Sequence, residues 1–315
     1  MFSETNAAAL RLREEGDLNM SIATFEAQLT ALGKEGEALH AYMLVDPAQD
    51  SRLPGAIVKA VPGLRSKCLL SLQQGADLER VAPHLVSMPA FDADKAFWQA
   101  IFDNGEARPA CQTVIASALG FDALYAHLHS QVEVVMPDGE IMVLAFWDPA
   151  ILGTLLGQPD DTTLHIPGPA LTLGQQAHLM KGMLGWWYWD RDGGMHSVRV
   201  SEKPIDESTG PLKLVDVQVD ILVEASVPDH LLSYLRQTKP QLLGGMPASK
   251  HYQIIKKYLK EARMLELFGM QDIMNYICAV LIYGERMALD PKIAELLTKV
   301  KAREISINDA FDRFP

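Results

Sequence analysis

Two aspartates follow predicted strands at points where a carboxylate could act as a general acid or base. Asp46 comes directly after the strand predicted at residues 40–45, and Asp148 follows the one predicted at 141–146. The α/β enzymes place catalytic carboxylates at strand ends, so the pair could serve a hydrolase. Aspartate is also the usual turn and helix-cap residue. Because Pro149 fits the first turn of a following helix, we predict structural roles for both aspartates.

His127 and His129 could form an HxH pair of metal ligands. On a helix their side chains would point roughly 200 degrees apart, and no third ligand lies nearby in sequence. We therefore predict packing or capping roles for this pair and no metal site.

Sequence motifs for covalent catalysis and for cofactor binding are absent. The chain contains no GxSxG, HExxH or CxxC motif and no glycine-rich phosphate loop. Its three cysteines, Cys68, Cys111 and Cys278, are widely spaced in apolar sequence, which is typical of buried free thiols in a reducing compartment. We predict no cofactor and no enzymatic activity.

The charge distribution separates the last third of the chain from the rest. Residues 1–225 contain 15 Lys and Arg against 30 Asp and Glu, and residues 226–315 contain 13 against 10, for a total of −12. A net negative charge argues against a general nucleic-acid binder. No apolar run approaches the ~20 residues that a membrane span needs, and the N-terminus does not resemble a signal peptide. We predict a cytoplasmic protein that binds neither nucleic acid nor membrane.

The element that precedes Asp148 is a predicted β-hairpin. An alternating segment at 132–136 and an apolar segment at 141–146 flank the turn that contains Asp138 and Gly139. If this hairpin lies at an exposed edge, it is the first place to look for a partner strand.

The order of elements predicts an α/β or α+β fold. Short apolar strands alternate with helices up to residue 156, whereas long periodic segments after residue 216 predict a helical bundle. We expect an N-terminal mixed-sheet domain with flanking helices and an edge hairpin, followed by an all-helical lobe. The predicted divisions are a leading helix at 1–37, an α/β domain at 38–158, a hairpin-containing connector at 159–211 and the helical lobe at 212–315.

Two groups of residues are candidates for partner binding. Successive strand residues face opposite ways, so the run at 186–189 predicts at least one outward tryptophan beside a cation, as in an interface hot spot. The alternative is that helices of the same chain cover both faces. In the helical lobe, a basic face could attract an acidic partner segment, or could simply be solvated. These candidates are Trp186, Trp187, Trp189, Arg191, Lys256, Lys257, Lys260 and Arg263.

Several short motifs occur in a fixed order along residues 38–156. They are an Asp-x-Ala corner after a strand at 44–48, the Ala-Pro-x-Leu-Val segment containing Pro83, the His127-Leu128 pair, and a Phe-aromatic-Asp-Pro corner at 146–149. In this order they resemble the type VI secretion adaptor family, the Tap or TEC proteins. The Ala-Arg pair at 262–263 and the segment 269–273 look like that family's helical tail. Where the family tends to carry arginines, this chain has His129 and Leu144-Ala145.

The resemblance implies a bacterial, non-enzymatic adaptor or chaperone that binds an effector protein and loads it onto the VgrG spike. Its partners would be the effector and the spike protein, held at separate surfaces with moderate affinity so that cargo can be released. Two alternatives remain open: a hydrolase that uses Asp46 and Asp148, and an immunity protein that masks a toxin.

Overall fold

A computed structural model describes residues 21–33, 38–70, 81–198 and 210–315. The chain divides into two units, Met1–Leu222 and Val223–Pro315. Most of the predicted leading helix at 1–37 lies outside the described residues.

The first unit is built on a six-stranded sheet in the order β2-β3-β1-β4-β7-β8. Every neighbouring pair in it is antiparallel. Its strands are β1 (His40–Val45), β2 (Ser66–Cys68), β3 (His84–Ser87), β4 (Gln112–Ser117), β7 (Met183–Trp189) and β8 (Met195–Val198).

A second, three-stranded sheet has the order β6-β5-β9. Strand β5 pairs with β6 antiparallel and with β9 parallel. The strands are β5 (Glu133–Val135), β6 (Ile141–Val143) and β9 (Leu212–Lys213). The predicted hairpin therefore forms, but it lies at the edge of this small sheet and not at the edge of the large one.

Within the described residues, six helices accompany these sheets, and four of them begin at a side chain that accepts backbone N–H groups. Ser21, Asp94, Asp148 and Thr172 cap the starts of α1, α3, α5 and α6, respectively, which satisfies amide donors that have no partner within the helix. The helices are α1 (Ile22–Leu32), α2 (Leu53–Ala60), α3 (Lys95–Ala107), α4 (Phe121–Ser130), α5 (Pro149–Leu156) and α6 (Leu173–Leu179).

The large sheet is buried on both faces because successive strand residues point to opposite sides. In β1, Tyr42 and Leu44 belong to the apolar cluster formed with α4, α5 and the small sheet. Met43 and Val45 belong to the cluster formed with α1 and α3. An N-terminal α/β fold with flanking helices is thus confirmed, with an antiparallel main sheet.

The second unit is helical, as predicted. Helix α7 contains the division between the units, and the apolar faces of the helices enclose a single cluster that includes Ile255, Ile277 and Ile293. The helices are α7 (Asp216–Thr238), α8 (Ala248–Met264), α9 (Met270–Tyr283), α10 (Arg286–Leu289), α11 (Pro291–Lys301) and α12 (Ile307–Phe311).

The described strands of the segment predicted as a connector, 159–211, belong to the large sheet. Strands β7 and β8 come from this segment and complete the large sheet, because β7 pairs with β4 over most of its length. All three cysteines are free and buried, as predicted. Among the described helices, none combines the length and apolarity required to cross a bilayer.

Candidate partner-binding site

The β5–β6 hairpin is held in register by its turn. The N–H of Gly139 donates to the Met136 carbonyl (2.9 Å), and Asp138 Oδ1 accepts the N–H of Glu140 (3.0 Å). Gly139 has a φ of 89°, a left-handed conformation that favours glycine. The resulting register places Val134 opposite Met142.

The backbone ladder of this hairpin leaves the outer side of β6 unpaired. Met136 N–H donates to the Glu140 carbonyl and Leu144 N–H to the Val132 carbonyl, each at 2.8 Å. Hydrogen-bonded and non-hydrogen-bonded pairs alternate along an antiparallel ladder. Between these two bonds, Ile141 and Val143 therefore direct their N–H and C=O groups away from β5, where no described strand receives them.

The side chains of β6 are apolar and exposed on both faces. Ile141, Met142 and Val143 retain 65%, 52% and 56% of their accessible surface. Proteins usually protect edge strands with lysine, proline or a bulge inside the strand, because an exposed apolar edge pairs readily with another chain. Strand β6 has none of these features, although it is only three residues long.

Acidic side chains surround this edge. Glu133, Asp138 and Glu140 are exposed and form no ion pair with any described residue. Lys213, the basic residue of the small sheet, lies on β9 and pairs with Val135, so all of β5 separates it from β6. The hairpin thus combines an unpaired apolar strand with a negative rim.

The tryptophan run predicted as a partner site is core, which corrects that prediction. Trp186, Trp187 and Trp189 are fully buried because β7 lies inside the large sheet and helices cover both of its faces. Trp186 Nε1 donates to Thr113 Oγ1 (2.8 Å) within the sheet, and Trp187 Nε1 donates to Gln28 Oε1 (2.9 Å) of α1. The alternative, coverage by the same chain, is what the structure shows.

Arg191 lies in the turn between β7 and β8. Beside it is a cluster of acidic and histidine side chains that the spacing of these residues in the sequence does not predict. The N–H of Arg191 donates to Thr163 Oγ1 at 3.4 Å. Nearby, Asp161, Asp190 and His196 bring potential metal-ligating atoms within 4.8 Å of one another. The pairing of β7 with β8 brings Asp190 and His196 together, and the hydroxyl of Tyr188 in β7 binds Asp161 of the preceding loop.

Protein donors occupy every carboxylate oxygen of this cluster. Asp161 accepts the hydroxyl of Tyr188 (3.0 Å) and both the N–H and the hydroxyl of Thr163 (2.8 and 2.7 Å). Asp190 accepts two backbone amides of its own turn and His196 Nε2 (2.8 Å). Burial alone would raise the pKa of Asp190, but these hydrogen bonds outweigh it and lower the pKa below its usual value. The cluster fastens the β7–β8 turn to the preceding loop.

Asp46 and Asp148 lie close enough for their charges to interact. Asp148 Oδ1 accepts the amides of Ala150 (2.8 Å) and Ile151 (3.1 Å), and Pro149 occupies the first turn of α5. Asp46 Oδ1 accepts the amide of Ala48 (2.9 Å). Burial raises the pKa of Asp46, and the charge of Asp148 adds to this increase. Since the main sheet is antiparallel, the rule that places catalytic groups at carboxyl ends of parallel strands does not apply here.

The two histidines of the HxH pair bind backbone carbonyls of different segments. His127 Nε2 donates to Leu179 O (2.9 Å), and burial lowers the pKa of this ring. His129 Nδ1 donates to Leu69 O (2.6 Å), and its ring stacks on Tyr125. Both rings therefore attach α4 to neighbouring segments.

Pro83, part of the Ala-Pro-x-Leu-Val segment, lies just before β3. Its carbonyl accepts the Leu69 amide at 2.8 Å, close to the contact of His129 with Leu69.

The basic face of α8 is only partly available to a partner. Arg263 binds Glu224 (2.9 Å) and donates to the carbonyl of Phe268 (3.2 Å), so its guanidinium braces the turn after α8. This contact gives Arg263 a structural role within the helical unit. Lys257 approaches Glu261 at 3.8 Å, and Lys260 is exposed. Lys256 is half-buried on the same helix.

The turn that Arg263 braces carries a second exposed apolar group. Met264, Phe268 and Met270 lie between the end of α8 and the start of α9, and each is exposed. The guanidinium carbon of Arg263 lies 5.4 Å from the centre of the Phe268 ring. The helical unit thus has an apolar surface of its own.

Comparison with known protein families gives one match. Residues 41–165, under half of the chain, match a family described as a domain of unknown function, DUF4123. Searches of curated proteins and of solved structures found no significant match. The matched range contains the hairpin and ends at the loop that carries Asp161 and Thr163.

Proposed function

We propose that this chain is a non-enzymatic adaptor that binds a type VI secretion effector and loads it onto the VgrG spike. The observation that carries the proposal is the DUF4123 match at residues 41–165, since that family is associated with type VI effector adaptors. The match covers nearly the same residues as the ordered motifs at 38–156. Sequence motifs and the family match therefore favour the same function independently of the fold.

The geometry is compatible with protein binding. An adaptor that holds two proteins needs two surfaces, and each unit of this chain exposes apolar side chains. They include the residues of β6 in the first unit and Met264, Phe268 and Met270 in the second. Apolar contacts would supply affinity at such surfaces, and surrounding charges would select the partner.

We also propose that the chain is not a catalyst. The hydrogen bonds of the two aspartates at the strand ends support this. Asp148 is engaged with two amides of α5, and Asp46 with the amide of Ala48. Burial also raises the pKa of the Cys111 thiol beside them, which disfavours the reactive thiolate. These groups have structural partners that account for their positions.

Co-purification tests the proposal. The tagged full chain, expressed in its native host, is expected to capture the effector encoded beside it together with the spike protein. Recovery of the chain with neither partner would contradict the proposal.

A second arm separates an adaptor from an immunity protein. The captured effector is divided into its recruitment segment and its toxic domain, and each is tested for binding to the full chain. An adaptor binds the recruitment segment. Binding confined to the toxic domain, with protection of cells from it, would identify an immunity protein.

A further inference from the structure

We propose that the free edge of β6 binds an extended segment of the effector by strand addition, and this proposal rests on the adaptor function above. The bound segment would continue the small sheet, in the order segment-β6-β5-β9. Its chemistry follows from the backbone, the side chains and the charges of the hairpin.

The backbone of β6 offers a short, complete binding unit. Ile141 and Val143 each present one N–H and one C=O to the open side, as the ladder between Met136 and Leu144 requires. A strand placed there can satisfy all four groups. Strand addition uses such main-chain bonds for affinity and alternating side chains for specificity.

The side chains of β6 define what the added strand must carry. Ile141 and Val143 lie on one face of the hairpin with Val135, and Met142 lies on the other face with Val134. Residues of the added strand opposite Ile141 and Val143 would therefore be β-branched or aromatic. Such cross-strand pairs stabilise a sheet by removing apolar surface from water.

The acidic rim determines the flanks of the bound segment. Glu133, Asp138 and Glu140 have no basic partner among the described residues. A segment with Lys or Arg on either side of its apolar core would complement them. Two copies of this hairpin paired through β6 would instead bring together two sets of these carboxylates, so the charge favours a basic-flanked partner over a second copy.

Two variants of the full chain test the edge, with the co-purified effector as the probe. The double variant Ile141→Lys/Val143→Lys keeps the ladder to β5 but places cations where the basic-flanked segment would lie. Ile282→Lys is the matched control, since Ile282 is 63% exposed and lies in the helical unit. The edge variant should weaken effector binding roughly tenfold or more, as loss of a hot-spot contact does. The control should bind as the unaltered chain does.

The backbone contribution is tested at Val143 alone. Val143→Pro removes an N–H that points away from β5, so the hairpin retains its internal bonds. Val143→Thr keeps that N–H and a β-branched shape. Strand addition predicts that the proline variant loses effector binding and the threonine variant retains it, with both melting as cooperatively as the unaltered chain.

The outcomes separate this inference from the adaptor function. An unaltered chain that captures no effector or spike protein overturns the adaptor function. An unaltered chain that binds the effector, with edge variants that bind it equally well, overturns only the strand-addition site. If the lysine variant dissociates a dimer and leaves effector binding unchanged, the occupant is a second copy, which also overturns the proposal.

Discussion

Gly105 of α3 lies against the indole ring of Trp189 in β7, so close that a Cβ at this position would overlap the ring. The contact packs α3 directly onto the face of the large sheet that carries Trp187 and Trp189. Trp189 also packs edge-on against Phe102 of the same helix, with ring centres 5.5 Å apart. The tryptophans are part of the buried core and are not available to a partner.

Gly105→Ala should destabilise the first unit by about 1–3 kcal/mol, because overpacking a dense core forces a helix or a ring to move. The matched control is Gly55→Ala in α2, where an added Cβ meets nothing within 4 Å. That change should stabilise the protein by about 0.5–1 kcal/mol, since alanine favours helix. Denaturant unfolding of both variants measures the difference. Equal stabilities would contradict the close packing of α3 on β7.

Asp148→Ala should lower the free energy of unfolding by about 1 kcal/mol, because the amides of Ala150 and Ile151 lose their acceptor. Asp148→Asn keeps an acceptor oxygen and should cost less. Denaturant unfolding measures both. If the asparagine variant lost as much stability as the alanine variant, the charge of Asp148 and not its cap would matter.

Asp46→Asn should become relatively more stable as the pH rises. Burial raises the pKa of Asp46 in the folded state above its value in the unfolded chain. The protonated carboxyl therefore stabilises the folded state at low pH. This contribution is fully present below the unfolded pKa and is lost as the pH rises through the folded pKa. Asparagine does not ionise and can still accept the Ala48 amide. The free energy of unfolding is measured for both proteins near pH 3 and near pH 7. The stability of the variant relative to the unaltered chain should be greater at pH 7. A constant difference would contradict the raised pKa.

Association of the effector with the chain should slow as salt is raised from about 0.05 M to about 0.5 M, because the Debye length falls below the distance over which the hairpin charges act. Stopped-flow mixing measures this rate. The variant Glu133→Gln/Asp138→Asn/Glu140→Gln retains the turn acceptor at 138 and should show a flatter salt dependence. An unchanged dependence would indicate that other charges guide the partner.

Local sequence signals predicted most elements, because caps and turns act over a few residues. Asp148 with Pro149 correctly predicted the start of α5, and Asp138 with Gly139 predicted the hairpin. The sheet in which this hairpin lies depends on the pairing of β5 with β9, which comes from residues 212–213. No local pattern contains that pairing.

The sequence predicted only part of the candidate site. It predicted the hairpin but left open whether its edge is exposed, and the sheet order shows that β6 is at the edge. Conversely, the run at 186–189 predicted at least one outward tryptophan, but Gln28 and Phe25 of α1, a distant segment, cover Trp187. The Asp161, Asp190 and His196 cluster likewise depends on tertiary contacts, namely the β7–β8 pairing and the bond from Tyr188 to Asp161.

Amide hydrogen exchange at residues 140–144, with and without bound effector, tests the β6 edge most directly. In the free chain, the amides of Ile141 and Val143 should exchange rapidly while that of Met142, directed toward β5, is protected. Effector binding should protect both outer amides. Unchanged exchange at Ile141 and Val143 in the saturated complex, or full protection before any effector is added, would contradict strand addition at this edge.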